Sequence, residues 1–294
     1  MMIKEKIISL IDGFTIELSP KVRHKLKSIP LDKKNNIYIT YLPDASENDI
    51  LETVDFVSKN NLTPITHLPA RTMKNLDHVS QFLSQVRERT DSKKILVIGG
   101  GGNQLGQISS SLEILNSGIL EEYNFDEIGI AGHPEGSPDI SQETIDNFLN
   151  DKFDLTKSKG LNLELVTQFF FDAKPFIDWC DSLIEKKITI PVRVGFPGPA
   201  SFKTLLNFGL MSGVGNSINF LKKNSSKVTD LLTKTSNDEM LISLAEYGYM
   251  KNPLKSFHCF PFGGFEKTCL WLNEIQNGDF IVENQRLMPH KKIF

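Results

Sequence analysis

The chain has 294 residues, 39% hydrophobic and 23% charged, a composition that excludes intrinsic disorder and allows one large core. A formal net charge of -3 offers no basic surface to nucleic acid, and the apolar runs are strand-sized, too short to span a membrane. Lys4, Glu5 and Lys6 stand where a secretory leader needs apolar residues, and Cys180, Cys259 and Cys269 are odd in number without CxxC spacing, so a cytoplasmic protein with reduced thiols and no metal site is expected.

In chain order, short β-rich runs alternate with longer amphipathic segments. Strands are expected at Phe14–Leu18, Asn36–Tyr41, Pro64–Leu68, Lys94–Ile98, Glu127–Ala131, Leu163–Phe170, Pro191–Gly195 and Ser256–Phe260. Helical pattern fills Glu47–Asn60, Leu76–Arg89, Ile108–Gly118, Gln142–Phe153 and Pro175–Lys186. Three more helical stretches, Phe202–Phe208, Gly213–Lys222 and Asp238–Tyr247, follow the seventh strand, and Phe265–Gln276 follows the eighth. Eight such units without a linker or composition shift point to a single (β/α)8 barrel of TIM type over residues 1–294. An open doubly wound sheet would bring a dinucleotide fingerprint after its first strand, and Glu17-Leu18-Ser19-Pro20 is not one.

A barrel places its chemistry at the C-terminal ends of the strands. Glu17 is late in the first strand, between Ile16 and Leu18. A carboxylate there is costly unless it is paired, hydrogen-bonded or protonated, which suits it to proton donation; the bland alternative is an outward-facing residue paired with a helix lysine. Thr40 and His67 end the second and third strands. Gly99 to Gly102 follow the fourth, as a backbone cradle for a phosphate or flat ring, or simply as a tight turn. His67 and His133 have no local His, Cys or Asp cluster, so a hydrogen-bonding or stacking role toward a heterocycle competes with a core role, and metal is not expected.

Thr167-Gln168-Phe169-Phe170-Phe171-Asp172 is the most unusual segment, because the carboxamide of Gln168 must find partners in an apolar strand and can read the edge of a pterin or flavin ring. Lys157 and Lys159, just ahead of it, are either phosphate ligands or solvated helix-end lysines. His258 either plugs the barrel interior or contacts a ligand. Its neighbour Cys259 points to the opposite face of the strand, so the two do not form a catalytic pair.

With Ile16-Glu17-Leu18-Ser19-Pro20, Ile39-Thr40-Tyr41, Thr66-His67-Leu68, Ala131-Gly132-His133-Pro134-Glu135, the Thr167–Asp172 string, Gly195-Phe196-Pro197 and Phe257-His258 in this order, the chain resembles the methylenetetrahydrofolate reductase family from about Phe14 to about Leu272. The resemblance implies a barrel oxidoreductase that interconverts 5,10-methylenetetrahydrofolate and 5-methyltetrahydrofolate, with FAD and with NADH or NADPH as co-substrate. It implies Glu17 as general acid and Gln168 as the residue that orients pterin and flavin. Thr40, His67, Gly100, Gly101, Ala131 and His133 would line the cofactor, Lys157 would meet its phosphate, and Phe202 would cover the substrate. A homo-oligomer is expected.

The chain also departs from the family. Arg-Gly-Asp is typical after the fourth strand, where this chain has Gly99-Gly100-Gly101, and Thr156 replaces a basic residue. Loss of phosphate-binding cations weakens FAD, which leaves direct hydride transfer from the nicotinamide as an alternative. A folate- or flavin-binding subunit that needs a partner for activity is the rival of another class. A barrel lyase or aldolase would need a buried Schiff-base lysine or metal carboxylates at strand ends, and neither is found.

Overall fold

Eight parallel strands, paired in sequence order, close on themselves in the computed structural model, which describes residues 1–32, 35–42, 45–101, 104–137, 140–212, 238–250, 253–284 and 286–289. The strands are β1 Thr15–Leu18, β2 Asn36–Ile39, β3 Thr63–Pro69, β4 Lys94–Ile98, β5 Glu127–Gly132, β6 Asn162–Thr167, β7 Val192–Pro197 and β8 Leu254–Phe260. Closure comes from β1 lying parallel to β8, with Thr15 opposite His258 and Ile16 opposite Cys259. The expected (β/α)8 barrel is the fold observed.

The helices are α1 Ile3–Ile11, α2 Glu47–Lys59, α3 Leu76–Arg87, α4 Ser111–Asn116, α5 Ile119–Glu122, α6 Gln142–Lys159, α7 Ala173–Glu185, α8 Phe202–Ser212, α9 Asp238–Met250 and α10 Phe265–Gln276. Local chemistry sets their starts: Ser46, Asn75, Ser141 and Asp172 each accept a backbone N–H of the first turn of α2, α3, α6 and α7. The expected helix Ile108–Gly118 is shortened to α4, and Gly118, with φ +81, separates it from a further short helix, α5, that lies beyond the expected end. Conversely, α6 runs six residues beyond its expected end at Phe153, to a stop at left-handed Gly160. The expected helix Gly213–Lys222, with Gly102 and Asn103, lies outside the described residues.

Besides α5 and the 3-10 turns Pro20–Ser28 and Ala70–Thr72, elements toward both ends of the chain were not expected from the sequence. The N-terminal helix α1 packs on α9, α10 and β8 through buried Ile7, Leu10 and Ile11. A C-terminal antiparallel pair, β9 Phe280–Glu283 and β10 Arg286–Pro289, packs beside α1 and α9.

Period-two alternation divides each barrel strand into an inner and an outer row. Outer rows such as Ile16/Leu18, Ile37/Ile39 and Ile128/Ile130 join the helices in the main apolar core. Tyr38, Ile65, Leu96 and Val166 form a separate cluster that fills the barrel, so the lumen is a packed core. A third cluster gathers Phe169, Phe171, Ala200 and Leu205 with Phe202, Phe208, Phe260 and Phe262. It stands over the C-terminal ends of β6 to β8 as an apolar wall. Cys180, Cys259 and Cys269 are free and buried, and burial raises each thiol, Cys269 to about 12, so none is a reactive thiolate.

Candidate active site

Glu17 shares the inner row of β1 with Thr15, and its side chain is 17% exposed at the C-terminal mouth of the barrel. The outward-facing alternative is excluded by this placement. Two imidazoles face the same carboxylate oxygen: Nε2 of His258 stands 3.4 Å from Glu17 Oε1, and Nε2 of His67 stands 3.6 Å away. The first is a long hydrogen bond; the second is too long for one. Closure of β1 on β8 makes the first contact, and the inner row of β3 delivers the second.

His258 is fully enclosed. Its Nδ1 lies 2.8 Å from Thr15 Oγ1, and the rings of Tyr38 and Phe260 pack edge-on at centroid distances of 4.6 and 5.0 Å. It thus plugs the interior and touches the acid at once. His67 differs, because its buried Nε2 has no hydrogen-bond partner among the described residues. Burial pushes His67 down to about 4, with Glu17 pulling up and His258 pushing down.

Thr40, one step beyond β2, is buried with Oγ1 also unpartnered among the described residues. Buried polar atoms are rarely left unmatched, and Thr40 and His67 place two such atoms at this end of the barrel. Gln168 lies one step beyond β6, held there by its N–H donating to Gly132 O. Its Oε1 accepts the Phe169 N–H at 3.1 Å, and its amide nitrogen has no partner among the described residues. Gly195 allows this approach, because a Cβ there would strike the backbone carbonyls of Thr167 and Gln168.

The rest of the Thr167–Asp172 string divides its tasks. Phe169 and Phe171 enter the apolar wall, Phe170 stacks on Phe176 at 4.8 Å, and Asp172 caps α7. Phe202 opens α8 against the same wall.

The loop after β4 is built as a turn around Gly100, where φ is +84 and a Cβ would meet Pro69 at 3.0 Å; Gly101 faces open space. Arg71, which sequence reasoning passed over, is tied to this loop, because its N–H donates to Gly99 O and its carbonyl accepts from Leu105 N. Ala131 and His133 lie at the end of β5, both half-buried. Burial, with the nearby charge of Lys152, pushes His133 down to about 4. Lys152 was also missed: burial lowers it to about 8, and it has no carboxylate partner among the described residues.

Lys157 is not brought to this rim. Helix α6 runs antiparallel to the strands, so its last turn returns to their N-terminal ends. There Lys157 lines a cavity of about 590 Å³ with Lys94, Glu127, Glu164 and Lys255, and its Nζ lies 6.0 Å from the Phe153 ring centroid. The lysine of α6 that approaches His133 is Lys152, five residues earlier.

His67 and His133 are expected to remain neutral down to about pH 4, which a pH titration of the imidazole 15N resonances checks. Unfolded histidines take up protons near 6.5 while these do not, so stability falls as pH drops from about 6.5 toward 4. Titration of either ring near 6.5 would show that solvent reaches it in the folded state.

No family model matches the chain. Among solved structures it is similar to an uncharacterized protein from Clostridium thermocellum that binds two copies of 5-methyl-5,6,7,8-tetrahydrofolic acid. The superposition has a TM-score of 0.61 at 12% identity and covers 94% of this chain and 99% of that chain. At that identity the likeness shows a shared barrel. Among the described residues no helix is long and apolar enough to cross a membrane, and no group of three His, Cys, Asp or Glu side chains forms a metal cluster.

Proposed function

We propose that the protein binds a reduced folate in the C-terminal mouth of the barrel and interconverts 5,10-methylenetetrahydrofolate and 5-methyltetrahydrofolate with a nicotinamide co-substrate. The observation that carries this reading is Glu17, an inner-row carboxylate at the mouth with two imidazoles on one oxygen. The shared fold with a protein that binds 5-methyltetrahydrofolate supports it. A cytoplasmic homo-oligomer belongs to the same proposal.

Glu17 delivers a proton to the folate nitrogen that leaves the methylene bridge, and the ring opens to the iminium ion that accepts hydride. Gln168 offers its amide N–H groups, without a partner among the described residues, to the pterin edge. Phe202, with Phe169 and Phe171, gives the rings an apolar wall and excludes water from the reacting carbon.

FAD fits this rim in part. The unmatched Thr40 and His67 suit the polar edge of a flavin ring, Gly100, Gly101, Ala131 and His133 would flank it, and Arg71 in the turn after β3 and Lys152 on α6 are cations near these residues. Bound there, FAD would supply a relay for hydride between nicotinamide and folate. Direct transfer is the second reading, favoured by the absence of any charged residue at Gly99 to Gly101.

Calorimetric titration with 5-methyltetrahydrofolate, before and after incubation with excess FAD, tests the proposal. Saturable binding in either state is expected, as is nicotinamide oxidation with methylenetetrahydrofolate. Binding in neither state overturns the folate reading, and binding without turnover favours the partner-dependent subunit.

A further inference from the structure

The Glu17 carboxylate is approached unequally. Both imidazoles reach Oε1, while Oε2 has no partner among the described residues. A carboxyl group carries its proton on one oxygen, and a donor on the other oxygen decides which. His67 stands too far to bond, so the decision rests with His258 and with the tautomer it adopts.

That tautomer is set from the opposite side of the ring. The one hydroxyl proton of Thr15 has two acceptors, His258 Nδ1 at 2.8 Å and the Phe257 carbonyl at 3.3 Å. If the proton goes to Nδ1, the imidazole carries its own proton on Nε2 and donates it to Glu17 Oε1. If it goes to Phe257, Nδ1–H donates to the hydroxyl, and the bare Nε2 lone pair faces a carboxylate oxygen. The 2.8 Å contact is a hydrogen bond in both arrangements; what favours the first is the ionised state of Glu17, in which only Nε2–H sets a donor against the charged Oε1, so that the proton taken up next falls on Oε2. Tyr38 and Phe260 hold the ring edge-on, so it cannot rotate to exchange its nitrogens.

We propose that His258 is a positioning residue: oriented by Thr15, it donates Nε2–H to Oε1 of Glu17 and so keeps the acid proton on Oε2, the oxygen left for the substrate. The inference rests on the proposed folate reaction only for the destination of that proton. In the step itself the Oε2–H bond breaks and an N–H bond forms on the leaving folate nitrogen. The O–H electron pair stays on the carboxylate, and the charge that spreads to Oε1 meets the His258 donor. Nothing is oxidised or reduced in this step.

Two-bond 1H–15N spectra of the folded, ligand-free protein read the tautomer directly. The Nε2–H form is expected for His258 at neutral pH, and the Nδ1–H form would overturn the proposal whatever the protein binds. Thr15→Val removes the hydroxyl at nearly constant shape. It is expected to move the His258 population toward Nδ1–H and to lower kcat for methylenetetrahydrofolate about 10- to 100-fold, with KM little changed, as for partial loss of general acid catalysis. Thr15→Ser is expected to restore both. An unchanged tautomer and kcat in Thr15→Val would reduce Thr15 and His258 to packing and overturn the inference. Because the spectra need no substrate, a protein that shows the expected tautomers but ignores folate refutes the folate reading and leaves the positioning role standing.

Discussion

Glu17→Gln is expected to lower turnover of methylenetetrahydrofolate by about 10²–10⁴-fold, the usual loss when a general acid is removed. The amide keeps the length and shape of the side chain, and its carbonyl oxygen can still accept from His258 Nε2 at the 3.4 Å position of Oε1. What disappears is the transferable proton on the other oxygen. Ground-state contacts with the folate survive, so the loss falls on kcat while KM and the melting temperature stay close to those of the parent. Steady-state kinetics with a nicotinamide donor, set beside a thermal unfolding curve, checks both halves. A variant within tenfold of the parent rate removes Glu17 from the role of acid, and one that has lost its cooperative unfolding transition shows that the residue is structural.

The barrel is legible in the sequence because eight period-two runs alternate with period-3.6 segments after all but the first, and four helix starts carry a local signal in Ser46, Asn75, Ser141 and Asp172. Glu17 and Gln168 stand out for a related reason, as polar residues placed where alternation requires the lumen. What brings them company is less visible. Thr15 meets His258 only because β1 closes on β8, and a contact across nearly the whole chain leaves no local pattern. Tyr38 reads as one more aromatic in a strand, although its ring holds His258 and its hydroxyl reaches Glu164.

Lysine position is harder still to read. Lys152, Lys157 and Lys159 all belong to one helix, and which end of the barrel each serves depends on where the helix stops. With the helix expected to end at Phe153, Lys157 belongs to a loop before β6; with the stop at Gly160, it is carried to the far face. The end hairpin β9–β10 and helix α1 lie outside the repeating pattern, so the period that reveals the barrel says nothing about them.

At the N-terminal end the lumen is closed by charge, and Glu164→Ala is expected to destabilise the fold by about 3–5 kcal/mol, as for a buried pair that loses one partner. Glu164 Oε1 accepts from Arg193 Nε at 2.7 Å and from the Tyr38 hydroxyl at 3.0 Å, while Oε2 accepts from Lys255 Nζ at 2.6 Å. Arg193 is only 4% exposed, and without Glu164 its guanidinium keeps the Gly13 carbonyl, 3.1 Å away, as its remaining hydrogen-bond partner among the described residues. Lys255 is more exposed and contributes less, because water screens it. The expected loss is a large share of the roughly 5–15 kcal/mol that holds an ordinary domain together, so the urea midpoint should fall well below that of the parent.

The same network gives the prediction a pH signature. Burial alone would raise the Glu164 carboxyl, but Arg193 and Lys255 outweigh it and hold the group below the usual carboxylate range. A depressed folded-state value means that the contribution is present above the unfolded value, about 4.3, and is lost as pH falls through the folded one. The gap between parent and Glu164→Ala midpoints is therefore expected to be constant near neutrality and to narrow in the acid range. Replacing both partners, as Glu164→Leu with Arg193→Met, should recover much of the stability, since it removes the buried guanidinium, and Lys255, which also loses its carboxylate, is half-exposed to water. A single variant as stable as the parent, or a double variant worse than the single, would show that this end of the barrel is held by its apolar contacts.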